Sequence, residues 1–258
     1  MEQIKVYIDF EAIANPFAKL INIPNSTPYC YSLGLLNDKN KFQISTFIID
    51  FRKHNSVTSI WAKLKKQIIL DINKINKKVN IKNVVFVGHN PYLEIECLKK
   101  MFPDNSVEPL INNSTVSLSK LVGKEYNKNY FSKVKEVIFS DKNNHKSFFI
   151  KALGDRNGAI ASYIGYWLYV DAFIMAFKEK DRRIRFFCPM DRRVTLRELR
   201  SYSNDDVDKM LYLASKPELL EKLLKELSYK KDLLKAINNL DLNDKLTIKE
   251  IKEKIWSL

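Results

Sequence analysis

The sequence has few of the features that mark several large protein classes. It contains only three cysteines, Cys30, Cys97 and Cys188, and none has the short spacing of a metal-binding motif. Three well-separated cysteines favour reduced thiols and a cytoplasmic location. No apolar run could span a bilayer without polar interruption. The longest, residues 160–177, contains Asp171 and is better explained as a buried helix, so we expect no membrane association. The first residues lead directly into a predicted strand, so we also expect no signal peptide.

The chain is strongly basic, with a net charge of +14 and a pI near 9.5. Such a surface favours polyanions, and nucleic acid is the expected partner. The excess of lysine is weak support because the chain is also rich in Asn and Ile, as an AT-rich genome would produce. Arginine is more informative, since seven of the nine arginines lie between residues 182 and 200. The alternative is a solvated helix face, partly paired with Asp181, Asp191 and Glu198. The predicted phosphate contacts are Arg182, Arg183, Arg185, Arg192, Arg193 and Arg197.

Hydrophobic periodicity predicts an α/β fold. Three strands come first, followed by a helix, a fully buried strand and a second helix. The predicted bounds are 5–10, 29–36, 41–49, 56–78, 82–88 and 91–102. This order resembles a ribonuclease H-like mixed sheet flanked by helices, in which the first strand is central. We assign residues 1–215 to this domain.

Leucine-rich amphipathic patterning predicts that the chain is mostly helical from Asp205 onwards, with a break near residues 238–244. We assign residues 216–258 to a helical C-terminal extension. These helices are a candidate surface for a protein partner.

Two carboxylates, Asp9 and Glu11, lie two residues apart at the end of the first predicted strand. On an extended strand they point to one face, while Ile4, Val6 and Ile8 point to the other. Like charges held together are costly unless a cation lies between them, and oxygen ligands suit Mg²⁺ or Mn²⁺. The alternative is a strand end at which both acids are hydrated.

Two later segments supply further acids. Residues 88–94, Gly-His-Asn-Pro-Tyr-Leu-Glu, turn from the buried strand into a helix and place Glu94 in its first turn. Acids are common there because of the helix dipole. Asp206 follows Tyr202 by four residues, so the two share one face of a helix that we expect to open nearby. The alternative is a capping aspartate beside a packed tyrosine.

The order of these segments resembles the DEDD superfamily of 3′–5′ exonucleases. Tyr202 points to the DEDDy branch, which includes proofreading domains of DNA polymerases. The resemblance covers residues 4–215 and includes residues 113–121, which are similar to the family's strand and helix after the second motif. The sequence departs from the family at Glu94, where aspartate is usual. The histidine-dependent branch is disfavoured, because no histidine lies five residues before Asp206 or Asp171.

The resemblance implies a two-metal phosphodiester hydrolase acting on the 3′ ends of DNA or RNA, with single-stranded ends favoured. Asp9, Glu11, Glu94 and Asp206 would hold two Mg²⁺ or Mn²⁺ ions, and Tyr202 would orient the attacking water. The implied substrate contacts are Phe10, Asn90 and Tyr92. Phe10 and Tyr92 could stack on the terminal nucleotide, although core packing explains Phe10 equally well.

Two alternatives remain open from the sequence. Asp171 competes with Asp206 for the position of fourth acid, but it has tryptophan rather than tyrosine four residues before it. The chain could also be a catalytically inactive module on the same fold that binds nucleic acid or a protein.

Overall fold

The computed structural model describes residues 3–111, 116–123, 125–126, 128–140, 147–238 and 247–256. Within these residues one five-stranded sheet has the order β3-β2-β1-β4-β5. The first three strands form an antiparallel meander, and β4 and β5 run parallel to β1. The predicted central position of the first strand is therefore confirmed. The strands are β1 Ile4–Ile13, β2 Thr27–Leu36, β3 Phe42–Ile48, β4 Val84–Gly88 and β5 Val107–Pro109.

Helices flank this sheet, which confirms the α/β class. Short 3₁₀ turns occur at Ile81–Asn83, Ile174–Ala176 and Arg182–Ile184. The helices are α1 Phe17–Leu20, α2 Val57–Ile75, α3 Tyr92–Met101, α4 Leu118–Leu121, α5 Ser132–Ser140, α6 Ser147–Leu153, α7 Asn157–Phe173, α8 Arg192–Ala214, α9 Pro217–Asn238 and α10 Ile248–Trp256.

The two faces of β1 belong to different parts of the core. Val6, Ile8 and Phe10 join the main hydrophobic core, which also contains the buried residues of α2 and α3. Tyr7 joins a second cluster that contains the buried residues of the C-terminal half of α8. Because side chains alternate along a strand, Asp9 lies on the α8 side of the sheet.

A glycine on β2 allows α8 to lie close to the sheet. A Cβ atom on Gly34 would be 2.7 Å from Leu211 Cδ1 and 3.0 Å from Val207 Cγ1. A side chain at residue 34 would therefore force the Leu211 and Val207 side chains to move. This close approach places the middle of α8 beside the acidic face of β1.

The most apolar helix is α7. With the turn that follows it, residues 157–176, it is long and apolar enough to cross a membrane by length and composition alone. Its largest side chains are nevertheless buried inside the fold. Tyr163 donates a hydrogen bond to the carbonyl oxygen of Phe186, and Trp167 donates one to that of Cys188. The prediction of a buried helix here is confirmed.

Two predicted boundaries are wrong. β1 continues to Ile13, so Asp9 and Glu11 lie within the strand rather than at its end. α8 begins at Arg192, where the Asp191 side chain accepts a hydrogen bond from the Val194 backbone N–H. Tyr202 and Asp206 therefore lie in the middle of a long helix, which fixes their backbone more firmly than a helix start would.

The boundary between α8 and α9 lies near residue 215, where we placed the start of the C-terminal extension. α8 ends at its C-cap Ser215, and α9 begins two residues later. Leucines of α9 pack against the second core cluster, so this helix rests on the domain. These leucines are Leu220, Leu223, Leu224 and Leu227. The predicted break at 238–244 falls almost wholly outside the described residues, as do residues 113–115 of the segment that resembles the family's strand and helix.

Candidate active site

The structure brings three of the predicted acids together. Asp9 and Glu11 come from β1 and Asp206 comes from α8, and one ligand oxygen from each lies within 4.8 Å of the others. Glu11 is 7% exposed. The three oxygens converge from two elements that Gly34 allows to approach each other. This is the geometry expected of a site that shares one hard cation among carboxylates.

Burial is the main influence on the pKa values of this cluster. It raises the pKa of Asp9 and of Glu11 well above their ordinary values, and the neighbouring carboxylates raise both further. Burial also raises the pKa of Asp206, against the opposing effect of Lys209. The cluster therefore favours either protons or a cation over free carboxylates.

One oxygen of the cluster lacks a partner. Glu11 Oε1 is buried and accepts no hydrogen bond from any described residue. A buried carboxylate oxygen without a donor is costly in free energy. A divalent cation among the three acids would supply the missing partner, so the residues present fit Mg²⁺ or Mn²⁺.

Glu94 lies beside the cluster but outside the group of three. Its Oε1 accepts a hydrogen bond of 3.3 Å from the backbone N–H of Phe10, which lies between the two acids of β1. Burial raises the pKa of Glu94 to about 7. A Cβ on Gly88 would lie 3.2 Å from Glu94 Cγ, so glycine leaves room for this side chain. Glu94 reaches the cluster through the β1 backbone.

Tyr202 lies one helical turn before Asp206, as its spacing predicts. Burial is the main cause that raises the pKa of its hydroxyl well above the ordinary value, and the nearby carboxylates of Glu11, Asp206 and Asp9 raise it further. Its ring packs against Tyr130 and Phe131, with centroids 5.3 and 5.0 Å away. The phenol is thus held in place as a protonated group.

The alternative fourth acid is bound elsewhere. Asp171, near the end of α7, forms ion pairs with Arg192 and with Arg52. It is not one of the three acids that converge on β1. The structure therefore places Asp206, rather than Asp171, in the carboxylate cluster, as its spacing from Tyr202 predicts.

A cavity of about 360 Å³ opens beside Asp9 and Asp206. The turn after β4, the segment before α4 and one side of α8 surround it. His89 Nε2 hydrogen-bonds the carbonyl oxygen of Val116 over 2.9 Å and so links two of these walls. Burial lowers the pKa of His89, so the ring is neutral. The lining residues are Asp9, His89, Asn90, Val116, Ser117, Leu118, Ser119, Tyr202, Asp206 and Met210.

The three predicted substrate contacts near the acids have different surroundings. Asn90 lines the cavity and has a φ of 51° where β4 turns into α3. Tyr92 is 71% exposed and free to meet a ligand. Phe10 is 4% exposed and packs edge-on against Tyr31. Core packing therefore accounts for Phe10, and its predicted stacking role is wrong because a nucleotide cannot reach the ring.

The arginines divide into two groups. Arg183 pairs with Asp181 and Arg192 pairs with Asp171, so these two are committed to structural ion pairs. The remaining predicted contacts are exposed and form no ion pair with any described residue. They are Arg182, Arg185, Arg193 and Arg197.

The free arginines of α8 do not face the acids. Arg193 and Arg197 are one turn apart and share one side of the helix. At 3.6 residues per turn, Tyr202 and Asp206 project from a different side. The structure thus separates the arginine surface from the carboxylate cluster.

Sequence reasoning missed one charged residue of the site. Lys209 is 1% exposed and donates a hydrogen bond of 2.7 Å from Nζ to Asp206 Oδ1. The one signal in the sequence is its position, three residues after Asp206. Lysine is almost never buried without a partner, so composition alone favours a surface position.

No protein-family model matches this chain, and no curated protein matches its sequence.

Proposed function

We propose that this protein is a metal-dependent 3′–5′ exonuclease with a ribonuclease H-like fold. The observation that carries the proposal is the convergence of Asp9, Glu11 and Asp206 around a buried carboxylate oxygen that lacks a donor. Tyr202 beside Asp206 supports the DEDDy assignment. The meander of β1 to β3, continued by parallel β4 and β5, supports the fold.

In this proposal Asp9, Glu11 and Asp206 hold Mg²⁺ or Mn²⁺, and Glu94 completes the acidic set. A bound ion would polarise the phosphodiester and offset the charge that develops on it. Tyr202 keeps its proton and orients the attacking water through its hydroxyl. The water adds to phosphorus and loses a proton. The bond to the 3′ oxygen of the preceding nucleotide breaks, and that oxygen gains a proton. The product is a nucleoside monophosphate.

The exposed surface around this site suits an unpaired 3′ end. Tyr92 offers an aromatic face for the terminal nucleotide without demanding a sequence. The net charge of +14 favours nucleic acid as the partner. We place the activity in the cytoplasm, where the thiols of Cys30, Cys97 and Cys188 would stay reduced.

One observation favours a second function, an inactive nucleic-acid-binding module. Lys209 already bonds to Asp206, so the cluster contains a cation before any metal binds.

A separate role for α9 in binding a protein is supported by its exposed Tyr229 and Leu234.

The deciding experiment is an exonuclease assay on 5′-labelled single-stranded DNA and RNA with Mg²⁺, Mn²⁺ or EDTA. We expect metal-dependent shortening from the 3′ end that is lost in Asp9→Asn. If wild type binds these oligonucleotides but shortens none with either metal, the inactive module is the better account. Shortening that survives Asp9→Asn would contradict the proposed site.

A further inference from the structure

Lys209 is the most unusual charged residue among those the structure describes. Its side chain is 1% exposed, and its ammonium group contacts Asp206 Oδ1 and lies 5.0 Å from the ring centroid of Tyr130. Burying a lysine is costly in free energy unless its charge is offset. The neighbouring pair Lys128–Asp205 is different, because the Lys128 side chain is 55% exposed. Lys209 is therefore held inside the site.

The cluster is costly in free energy wherever its carboxylates are ionised without a positive charge beside them. Four acids surround the site, and three of their oxygens lie within 4.8 Å of one another. Lys209 offsets one of these charges and fixes Asp206 through one oxygen, which leaves the other oxygen for a metal. Its burial keeps the ammonium away from a phosphate in solution, so it is a positioning residue.

We infer that Lys209 is a built-in counter-ion of the candidate metal centre: it lets the metal-free protein fold with Asp206 already in place, and it weakens the attraction of the cluster for divalent cations. This inference rests on the proposed metal site. The second part follows from Coulomb's law, because an ammonium beside Asp206 repels an ion bound to the same carboxylate. Lys209 thus sets the metal affinity as well as the geometry.

The test compares Lys209→Met with Lys128→Met. Methionine keeps the length and unbranched shape of Lys209 and removes its charge. Lys128→Met removes the lysine that pairs with Asp205, the residue before Asp206 and outside the cluster. Mn²⁺ affinity is measured by electron paramagnetic resonance of the free ion, and the melting temperature is measured in EDTA and in Mn²⁺.

We expect Lys209→Met to bind Mn²⁺ at least about tenfold more tightly than wild type. Lys209→Met should also melt at a lower temperature than wild type in EDTA, and Mn²⁺ should raise its melting temperature by more. Lys128→Met should match wild type in Mn²⁺ affinity. Structural damage alone would weaken metal binding, so tighter binding separates the counter-ion from a purely structural lysine.

The outcomes also separate this inference from the proposed function. If no variant and no wild-type protein binds Mn²⁺, the proposed metal centre itself fails. If wild type binds Mn²⁺ and Lys209→Met binds it equally or more weakly, only the counter-ion inference is overturned. A Lys209→Met chain that is unfolded in EDTA supports the inference if Mn²⁺ restores folding, and overturns it if Mn²⁺ does not.

Discussion

The hydroxyl of Tyr202 lies beside the carboxylate of Asp206, one turn further along the side of α8 that lines the cavity. This arrangement places the residue proposed to orient water next to a residue proposed to hold the metal. The rings of Tyr130 and Phe131 pack against the ring of Tyr202. Substitutions that remove the Tyr202 hydroxyl or the charge of Asp206 test the orienting role and the metal-binding role separately.

Replacing Tyr202 with phenylalanine removes the hydroxyl and keeps the ring packing. We expect the turnover rate at saturating substrate to fall by about 100-fold, because a positioned proton-bearing group is lost. Mn²⁺ affinity should stay near that of wild type. The matched control is Tyr130→Phe, which removes a hydroxyl that donates to Asp205. A Tyr202→Phe enzyme with an unchanged turnover rate would remove Tyr202 from the mechanism.

The Asp206→Asn substitution tests whether Asp206 or Asp171 is the fourth acid of the site. Asp206→Asn should lower the turnover rate by at least about 100-fold, since the metal loses a charged ligand. Asp171→Asn is the control because Asp171 pairs with Arg192 and Arg52 instead. It should retain activity and lose some thermal stability. The opposite pattern in this assay would show that Asp171 serves the metal.

How far the sequence predicts this site can be judged from individual residues. Alternation along β1 places Asp9 and Glu11 together, and helical spacing joins Tyr202 to Asp206. The start of α8 was missed because five of its first nine residues are charged, which weakens the hydrophobic periodicity there. Lys209 was missed because it lies against Tyr130, which is distant in the chain. Local patterns predict the elements, whereas the packing between them decides which polar side chains are buried.

The stability of the metal-free protein should fall as the pH rises. Burial raises the pKa of Glu94 from 4.5 to about 7, and it raises those of Asp9 and Glu11 as well. The folded state therefore keeps protons that the unfolded chain has already released, so unfolding becomes easier at higher pH. For Glu94 the contribution is complete below pH 4.5 and is lost as the pH passes about 7.

Melting curves in EDTA check this expectation. The protein should melt at a lower temperature at about pH 8 than at about pH 5. Mn²⁺ should stabilise it more at the higher pH, because the carboxylates must lose their protons to bind the ion. A melting temperature in EDTA that rises from about pH 5 to about pH 8 would contradict this expectation, because groups other than these carboxylates would then dominate. In that case the slope of melting temperature against pH would be the same for Glu94→Gln as for wild type.

The exposed arginines of α8 should affect affinity rather than catalysis. Arg193 and Arg197 project away from the acids and form no ion pair with any described residue. If each contacts a phosphate, its replacement by alanine should weaken oligonucleotide binding and lower the slope of log affinity against log salt by about one. Arg183→Ala is the control, since Arg183 is bound to Asp181. Equal salt slopes for all three variants would rule out phosphate contacts on α8.

The most direct test of the central claim is a crystal grown with Mn²⁺ and a nucleoside 5′-monophosphate. Anomalous scattering then locates the metal independently of the protein density. We predict an Mn²⁺ ion coordinated by Asp9, Glu11 and Asp206, with the phosphate of the nucleotide bound to it beside the Tyr202 hydroxyl. An Mn²⁺ ion bound by other side chains, with these three carboxylates free of metal at saturating concentration, would contradict the account.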